Sequence, residues 1–80
     1  TYTVQALTPI GEFNEYFQSN LNDEAFDTIG GLVLQAFGQL PKRGESIVID
    51  GIQFKVRRAN TRRIKTLSVH LPQPLSPKES

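Results

Sequence analysis

Residues 23–56, DEAFDTIGGLVLQAFGQLPKRGESIVIDGIQFKV, combine an amphipathic helix, a turn and a hairpin within this 80-residue chain. Apolar residues recur in steps of three and four from Phe26 to Leu40, which is the spacing of one helix face. Asn22 suits the N-cap of this helix, and the acidic residues that follow it would face the positive end of the helix dipole. The pattern therefore predicts a helix that begins near residue 23.

Two adjacent glycines, Gly30 and Gly31, would then lie inside this helix. Each glycine costs about 0.8–1 kcal/mol relative to alanine in a helix interior, so a packing advantage must offset the cost. We expect a strand or a neighbouring helix to approach the bare backbone closely. Gly38 suits a C-terminal cap, and Pro41 prevents the helix from continuing.

Asp50-Gly51 predicts a two-residue β-hairpin, because a type I′ turn needs positive φ at both of its central positions. In the resulting register Ile47 faces Phe54, and the apolar faces of the two strands coincide. A further turn that contains Gly44 is predicted just before the hairpin.

Shorter signals precede this region. Residues 2–7 alternate and include β-branched and aromatic side chains, which predicts a first strand. Thr8 suits an N-cap, and Pro9 suits the first position of a helix. The apolar spacing that follows predicts a short helix that ends near residues 19–20.

The rest of the chain predicts strands at residues 52–58 and 64–71, followed by a Pro-rich tail at residues 72–80 that we expect to be disordered. The element order is therefore β-α-α-β-β-β. This order is typical of an α+β domain, here residues 1–71, with a mainly antiparallel sheet and both helices on one face.

Composition excludes several kinds of site. There are no cysteines, so neither a disulfide nor a thiolate metal site is available. No apolar run approaches the roughly 18–20 residues that span a bilayer, so we expect no membrane span in this segment. Residues 1–41 hold five acids and no Lys or Arg, a charge of −5, whereas residues 42–80 hold nine bases and three acids, a charge of +6. Such an asymmetry bears on association with partners.

Three carboxylates form the metal candidate. Asp23 and Asp27 lie four residues apart, with Glu24 beside Asp23. Because Mg²⁺ and Ca²⁺ take carboxylate oxygens as ligands, one hypothesis is a hydrated divalent-cation site. The alternative, which we favour, is that the three acids compensate the helix dipole, because the ligand spacing of a dedicated Ca²⁺ loop is missing.

A dense group of basic residues surrounds the last predicted turn. The group would bind a nucleotide phosphate, an anionic lipid surface or an acidic patch on a partner domain. The alternative is a charged sheet edge that resists strand pairing. Nucleic acid is not expected as a partner, because no aromatic side chains are interleaved with the bases. The residues are Lys55, Arg57, Arg58, Arg62, Arg63 and Lys65.

No catalytic residues are expected. His70 is the only histidine, and a single histidine without cysteine makes a poor metal site, so we expect it to be a solvent-facing strand residue. Ser46, Thr66 and Ser68 have no base at the spacing of a known motif, so the chain is not expected to be an enzyme.

These motifs resemble the transporter-associated domain of the CorC/HlyC family over residues 2–71. Their order and spacing carry the resemblance, and no single element does. The matching residues are Asp27, Gly30, Gly31, Phe37, Gly38, Leu40, Pro41, Gly44, Glu45, Gly51, Phe54, Val56, Arg63 and Ile64.

The resemblance implies a non-catalytic C-terminal accessory domain of a hemolysin-related magnesium and cobalt efflux protein. Such a domain would lie on the cytoplasmic side of the inner membrane, or in the cytoplasm where the parent protein lacks a membrane domain. Its implied partners are the CBS pair and the membrane domain of the same protein. The chain has no initiator methionine, so we also expect a segment of a longer protein.

The sequence also leaves room for a homodimer, because edge strands can pair with a second copy. The family's fold is grouped with certain FAD-binding domains, which suggests FAD or an adenine nucleotide by fold analogy only. We expect no cofactor, because no Gly-rich phosphate loop follows a strand and the Gly30-Gly31 pair would lie in mid-helix, not at a helix N-terminus.

Overall fold

The structure, a computed structural model, describes residues 1–72, so the predicted tail lies outside the described residues except for Pro72. The α+β class and the order β-α-α-β-β-β are confirmed. The elements are β1 Tyr2–Gln5, α1 Ile10–Phe17, α2 Ile29–Phe37, β2 Ser46–Ile49, β3 Ile52–Ala59 and β4 Ile64–His70.

The four strands form one antiparallel sheet in the order β1-β4-β3-β2. The predicted hairpin register is confirmed, since Ile47 pairs with Phe54. At the tip of the hairpin Asp50 has a φ of 53° and Gly51 a φ of 80°, so both central positions adopt the positive φ that a type I′ turn requires.

Both helices pack on one face of the sheet and form a single hydrophobic core with it. From α1, the ring centroid of Phe13 lies 5.7 Å from that of Phe54 on β3. From α2, Ile29 and Val33 are fully buried in the same cluster. Side chains alternate along β3, so the buried ones lie on the face of the sheet that the helices cover and the exposed ones lie on the opposite face.

The predicted start of the second helix is wrong. The N-cap of α2 is Thr28, whose side chain accepts a hydrogen bond from the N–H of Gly31 at 3.2 Å. Residues 23–28 are not helical. Asn22 instead accepts a hydrogen bond from the N–H of Glu24 at 2.7 Å, a local contact that competes with helix formation. The acidic residues therefore precede the helix, and none lies in its first turn.

The predicted capping of the first helix is also wrong. Pro9 is the N-cap of α1, with an extended ψ of 141°, and the Thr8 side chain caps nothing. The carbonyl of Thr8 accepts a hydrogen bond from Ile29 N–H at 2.9 Å, so the backbone of Thr8 contacts the start of α2. At its other end α1 finishes at Phe17, earlier than predicted, because Gln18 adopts a left-handed φ of 54°.

The glycine pair thus lies in the first turn of α2, and Gly30 lies close to Ala6, the residue that follows β1. The N–H of Gly30 donates to the carbonyl of Ala6 at 2.8 Å. A Cβ added at Gly30 would lie 2.7 Å from Ala6 Cβ, whereas a Cβ at Gly31 would have its nearest neighbour, Thr28 Oγ1, at 3.5 Å. A close approach to bare helix backbone is therefore found for Gly30 alone, and it is made by Ala6 in the turn after β1, not by a strand or a neighbouring helix.

A side chain of α1 anchors the loop between the two helices. Asn14 Nδ2 donates to the carbonyl of Leu21 at 2.9 Å. Its Oδ1 accepts from the N–H of Leu21 at 2.9 Å and from the hydroxyl of Ser19 at 2.8 Å. Leu21 is buried in the core, so these bonds satisfy backbone groups that have little access to water.

The contact at Gly30 predicts a sharp difference between two neighbouring substitutions. Gly30→Ala should lower the free energy of unfolding by about 1–3 kcal/mol, because the new methyl overlaps Ala6 and forces a backbone shift. Gly31→Ala, the matched control, should change it by less than about 1 kcal/mol because its methyl has room and favours the helix. Urea unfolding of both variants measures the difference. Equal stabilities would contradict the packing described.

The anchoring role of Asn14 predicts a second pair of effects. Asn14→Ala should cost about 1–3 kcal/mol in urea unfolding, because it leaves the N–H and carbonyl of Leu21 without partners. Asn22→Ala removes only one exposed hydrogen bond and should remain within about 0.5 kcal/mol of wild type. A cost for Asn22→Ala as large as that for Asn14→Ala would refute the assignment.

Candidate functional site

The face of the sheet that the helices leave uncovered carries a polar concavity of about 720 Å³, which we call the basic groove. It extends across β3 and β4 and is bordered by Thr1 and the turn before β2. Apart from Thr1, Gly44 and Val56, its lining consists of three cations and three other polar side chains, and within the described residues no Asp or Glu lines it. These six residues are Arg43, Lys55, Arg57, Gln53, Ser68 and His70.

Strand alternation supplies the β3 and β4 side of this groove. Gln53, Lys55 and Arg57 are exposed, while the residues between them on β3 are buried in the core. Antiparallel pairing places Ser68 opposite Lys55 and His70 opposite Gln53. Arg57 Nη1 donates to Ser68 Oγ at 3.2 Å, which holds one end of the guanidinium against the sheet.

The turn before β2 supplies Arg43. Glu45 N–H donates to the carbonyl of Lys42 at 3.1 Å, and Lys42 N–H donates to Glu45 Oε2 at 2.7 Å. Gly44, which has a φ of 98°, donates its N–H to the carbonyl of Val56, and the N–H of Val56 donates to the carbonyl of Glu45. Gly44 and Glu45 together therefore lie opposite the single residue Val56. This pattern is a β-bulge, and it tilts the turn so that Arg43 lines the groove.

The basic residues predicted as one group are divided by the fold. Lys55 and Arg57 line the basic groove. Arg58, Arg63 and Lys65 are exposed and do not line it. Arg62 lies at a different depression, which runs along α2.

The second depression, which we call the apolar groove, lies along α2 and has a volume of about 520 Å³. Half-buried Phe26, Leu34 and Leu40 line it, and Arg62 stands at its edge. Asn60 fixes the turn that carries the arginine, since its Oδ1 accepts from the N–H of Arg62 at 2.8 Å and from that of Arg63 at 2.9 Å.

Sequence reasoning missed four residues of the basic groove. Ser68 and His70 could have been found by extending the predicted alternation from β3 to its neighbour β4. His70 is exposed, as predicted, but it faces the groove. Gln53 is uncharged and was not considered as a binding residue. Arg43 reaches the groove through a bulge that was not predicted from the sequence.

The three carboxylates of the metal candidate do not share a helix face. Asp23, Glu24 and Asp27 are exposed in the loop before α2. Within residues 1–72 no three side chains of His, Cys, Asp or Glu are grouped so that they could hold a metal ion. All three residues precede the N-cap at Thr28, and none lies in the first turn of α2, where compensation of the helix dipole was expected.

The N-terminus of α2 is occupied by the protein's own acceptors. Ile29 N–H donates to Thr8 and Gly30 N–H donates to Ala6. Gly31 and Leu32 donate to the side chain and carbonyl of Thr28. The prediction that the glycine pair lies in mid-helix is wrong, but with these donors used this end of the helix has none left for a phosphate.

Neither helix of the described region, residues 1–72, is long and apolar enough to cross a membrane.

Known proteins of related sequence agree on one family. The chain is 58% identical over 72 residues to the magnesium and cobalt efflux protein CorC of Escherichia coli K12, covering 90% of this chain and 25% of that protein. It is 51% identical over 77 residues to the protein of the same name from Buchnera aphidicola subsp. Acyrthosiphon pisum, covering 96% and 26%. The chain thus spans about a quarter of the length of the curated relatives it matches.

Solved structures of related domains share the fold. A region associated with the transporter CorC from Neisseria meningitidis MC58 superposes with a TM-score of 0.81 at 46% identity, covering 84% of this chain and 83% of that one. A hemolysin domain from Enterococcus faecalis V583 superposes with a TM-score of 0.81 at 32% identity, covering 90% and 88%. Domains of about this length were therefore crystallised as separate chains.

The family model named CorC_HlyC, described as the transporter associated domain, matches residues 1–73. Its match covers nearly the whole chain. The chain belongs to the CorC_HlyC family of transporter associated domains.

Proposed function

We propose that this chain is a non-catalytic accessory domain of a CorC-like magnesium and cobalt efflux protein, and that it modulates transport by docking on other parts of that protein. The observation that carries the proposal is the 58% identity to CorC over a segment that makes up only 25% of that protein. A domain linked covalently to its partner meets it at a high effective concentration, so even a modest contact surface suffices.

The apolar groove is the surface that best suits such docking. It combines an aromatic side chain, leucines and an arginine, and protein interfaces are enriched in aromatic residues and arginine. Phe26, Leu34 and Leu40 are only half buried in the isolated domain, so a partner would remove further apolar surface from water. The occupant we propose is the CBS pair or the membrane domain of the same polypeptide.

Regulation would follow from a difference in docking between two states of the transporter. A contact shifts a conformational equilibrium only if it is stronger in one state than in the other. The proposed domain would therefore favour the transporter state in which the partner element fits the apolar groove. No bond is made or broken in this scheme, and no cofactor is required.

A hybrid transporter tests the proposal. We would replace the matching region of Escherichia coli CorC with this chain and measure cobalt efflux and cobalt tolerance in cells that depend on the hybrid. Arg62→Glu should weaken docking by about 1–2 kcal/mol, because it reverses a charge at the edge of the buried contact. The hybrid with this substitution should show altered efflux.

The neighbouring Arg63→Glu is the matched control, since Arg63 is also exposed, belongs to the same turn and does not line the apolar groove. Both variants should unfold within about 0.5 kcal/mol of wild type because neither side chain is buried. The proposal is rejected if Arg62→Glu leaves efflux unchanged, or if Arg63→Glu alters it to the same extent.

A further inference from the structure

The basic groove lies on the face of the sheet opposite the helices and plays no part in the docking proposed above. Three cations, Arg43, Lys55 and Arg57, converge on it from two separate parts of the chain. No carboxylate among the described residues lines the groove to neutralise them. Like charges gathered around one concavity repel each other, and an anion bound between them relieves that repulsion.

The arrangement of donors is suited to a particular anion. Arg57 uses one N–H on Ser68 Oγ, at 3.2 Å, and the guanidinium has five N–H donors in a planar fork. Lys55 stands beside Ser68 across the strand pair and provides an ammonium group. Arginine forks and lysine ammonium groups together are the typical partners of phosphate oxygens, which accept short charge-assisted hydrogen bonds.

The remaining lining and the size of the groove agree with this chemistry. Gln53 and His70 face each other across β3 and β4 and add polar groups at one end. The volume of about 720 Å³ falls within the range of small-molecule sites. Gly44 and the bulge hold the turn against β3, which places Arg43 at the groove.

We infer that the basic groove is a binding site for phosphate groups. The ligand class is a compound with more than one phosphate charge, either free in solution or presented as the headgroup of an anionic lipid. Affinity comes from Arg43, Lys55 and Arg57, and Ser68 orients the guanidinium of Arg57. The inference requires only this chain and holds whether or not the apolar groove docks a partner.

The test uses the 80-residue chain with inorganic pyrophosphate as the probe, at physiological ionic strength so that long-range attraction is screened. Titration calorimetry measures affinity, and amide NMR shifts locate the site. We expect saturable binding with shifts centred on Gln53, Lys55 and Ser68. The double substitution Lys55→Gln/Arg57→Gln should weaken binding by about tenfold or more.

The matched control is Arg63→Gln/Lys65→Gln, which removes the same two charges from exposed positions outside the groove. It should leave the affinity for pyrophosphate within about twofold of wild type, which corresponds to a change in binding free energy of at most about 0.4 kcal/mol. Thermal unfolding of both double variants confirms that each is folded.

A second arm uses vesicles that contain cardiolipin, an anionic lipid whose headgroup carries two phosphates, with phosphatidylcholine vesicles as the reference. Binding to anionic vesicles that the Lys55→Gln/Arg57→Gln variant loses, without binding of pyrophosphate, assigns the phosphate to a lipid headgroup. The inference is overturned if neither probe binds, or if the two double variants lose binding equally. If neither probe binds and the groove variant nevertheless alters efflux in the hybrid transporter, an acidic protein segment is the ligand instead of a phosphate.

Discussion

The docking of α2 on the end of β1 is the constraint on which the rest of this fold depends. It is made by backbone groups: Gly30 N–H donates to Ala6 at 2.8 Å and Ile29 N–H donates to Thr8 at 2.9 Å. In return Ile10 N–H donates to the carbonyl of Asp27 at 2.9 Å, so the starts of both helices are joined. Because the two backbones touch, only glycine fits at position 30.

This junction determines which surfaces are free for function. It holds both helices on one side of the sheet, and their apolar side chains complete the core there. The other side of the sheet stays uncovered and presents the basic groove. The junction also uses the N–H groups of the first turn of α2, so this end of the helix has none left to bind an anion.

The strands and the hairpin could be predicted because their signals are local. Asp50 and Gly51 need no partner beyond the turn itself to adopt positive φ. The helix boundaries could not, because tertiary hydrogen bonds decided them. A window of sequence around Asn22 suits a cap, yet the cap is Thr28, since the carbonyl of Asp27 is needed by α1.

The candidate sites follow the same division between local and long-range causes. The alternation of β3 shows which of its side chains face the basic groove, so Lys55 and Arg57 could be proposed from sequence. Arg43 joins them only through the bulge at Gly44, and Arg62 is separated from them by the turn at Asn60. The clustering of basic residues along the sequence therefore did not show which of them lie close together in the fold.

Native-state hydrogen exchange of individual amides tests the central claim most directly. If the backbone junction is an integral part of the cooperative fold, the amides of Ile29 and Gly30 exchange only through global unfolding, as slowly as the central amides of β4. The same protection is predicted for Ile10. Exchange of Ile29 and Gly30 at the rate of the exposed loop at residues 22–25 would contradict the account, because the helices would then dock without this junction.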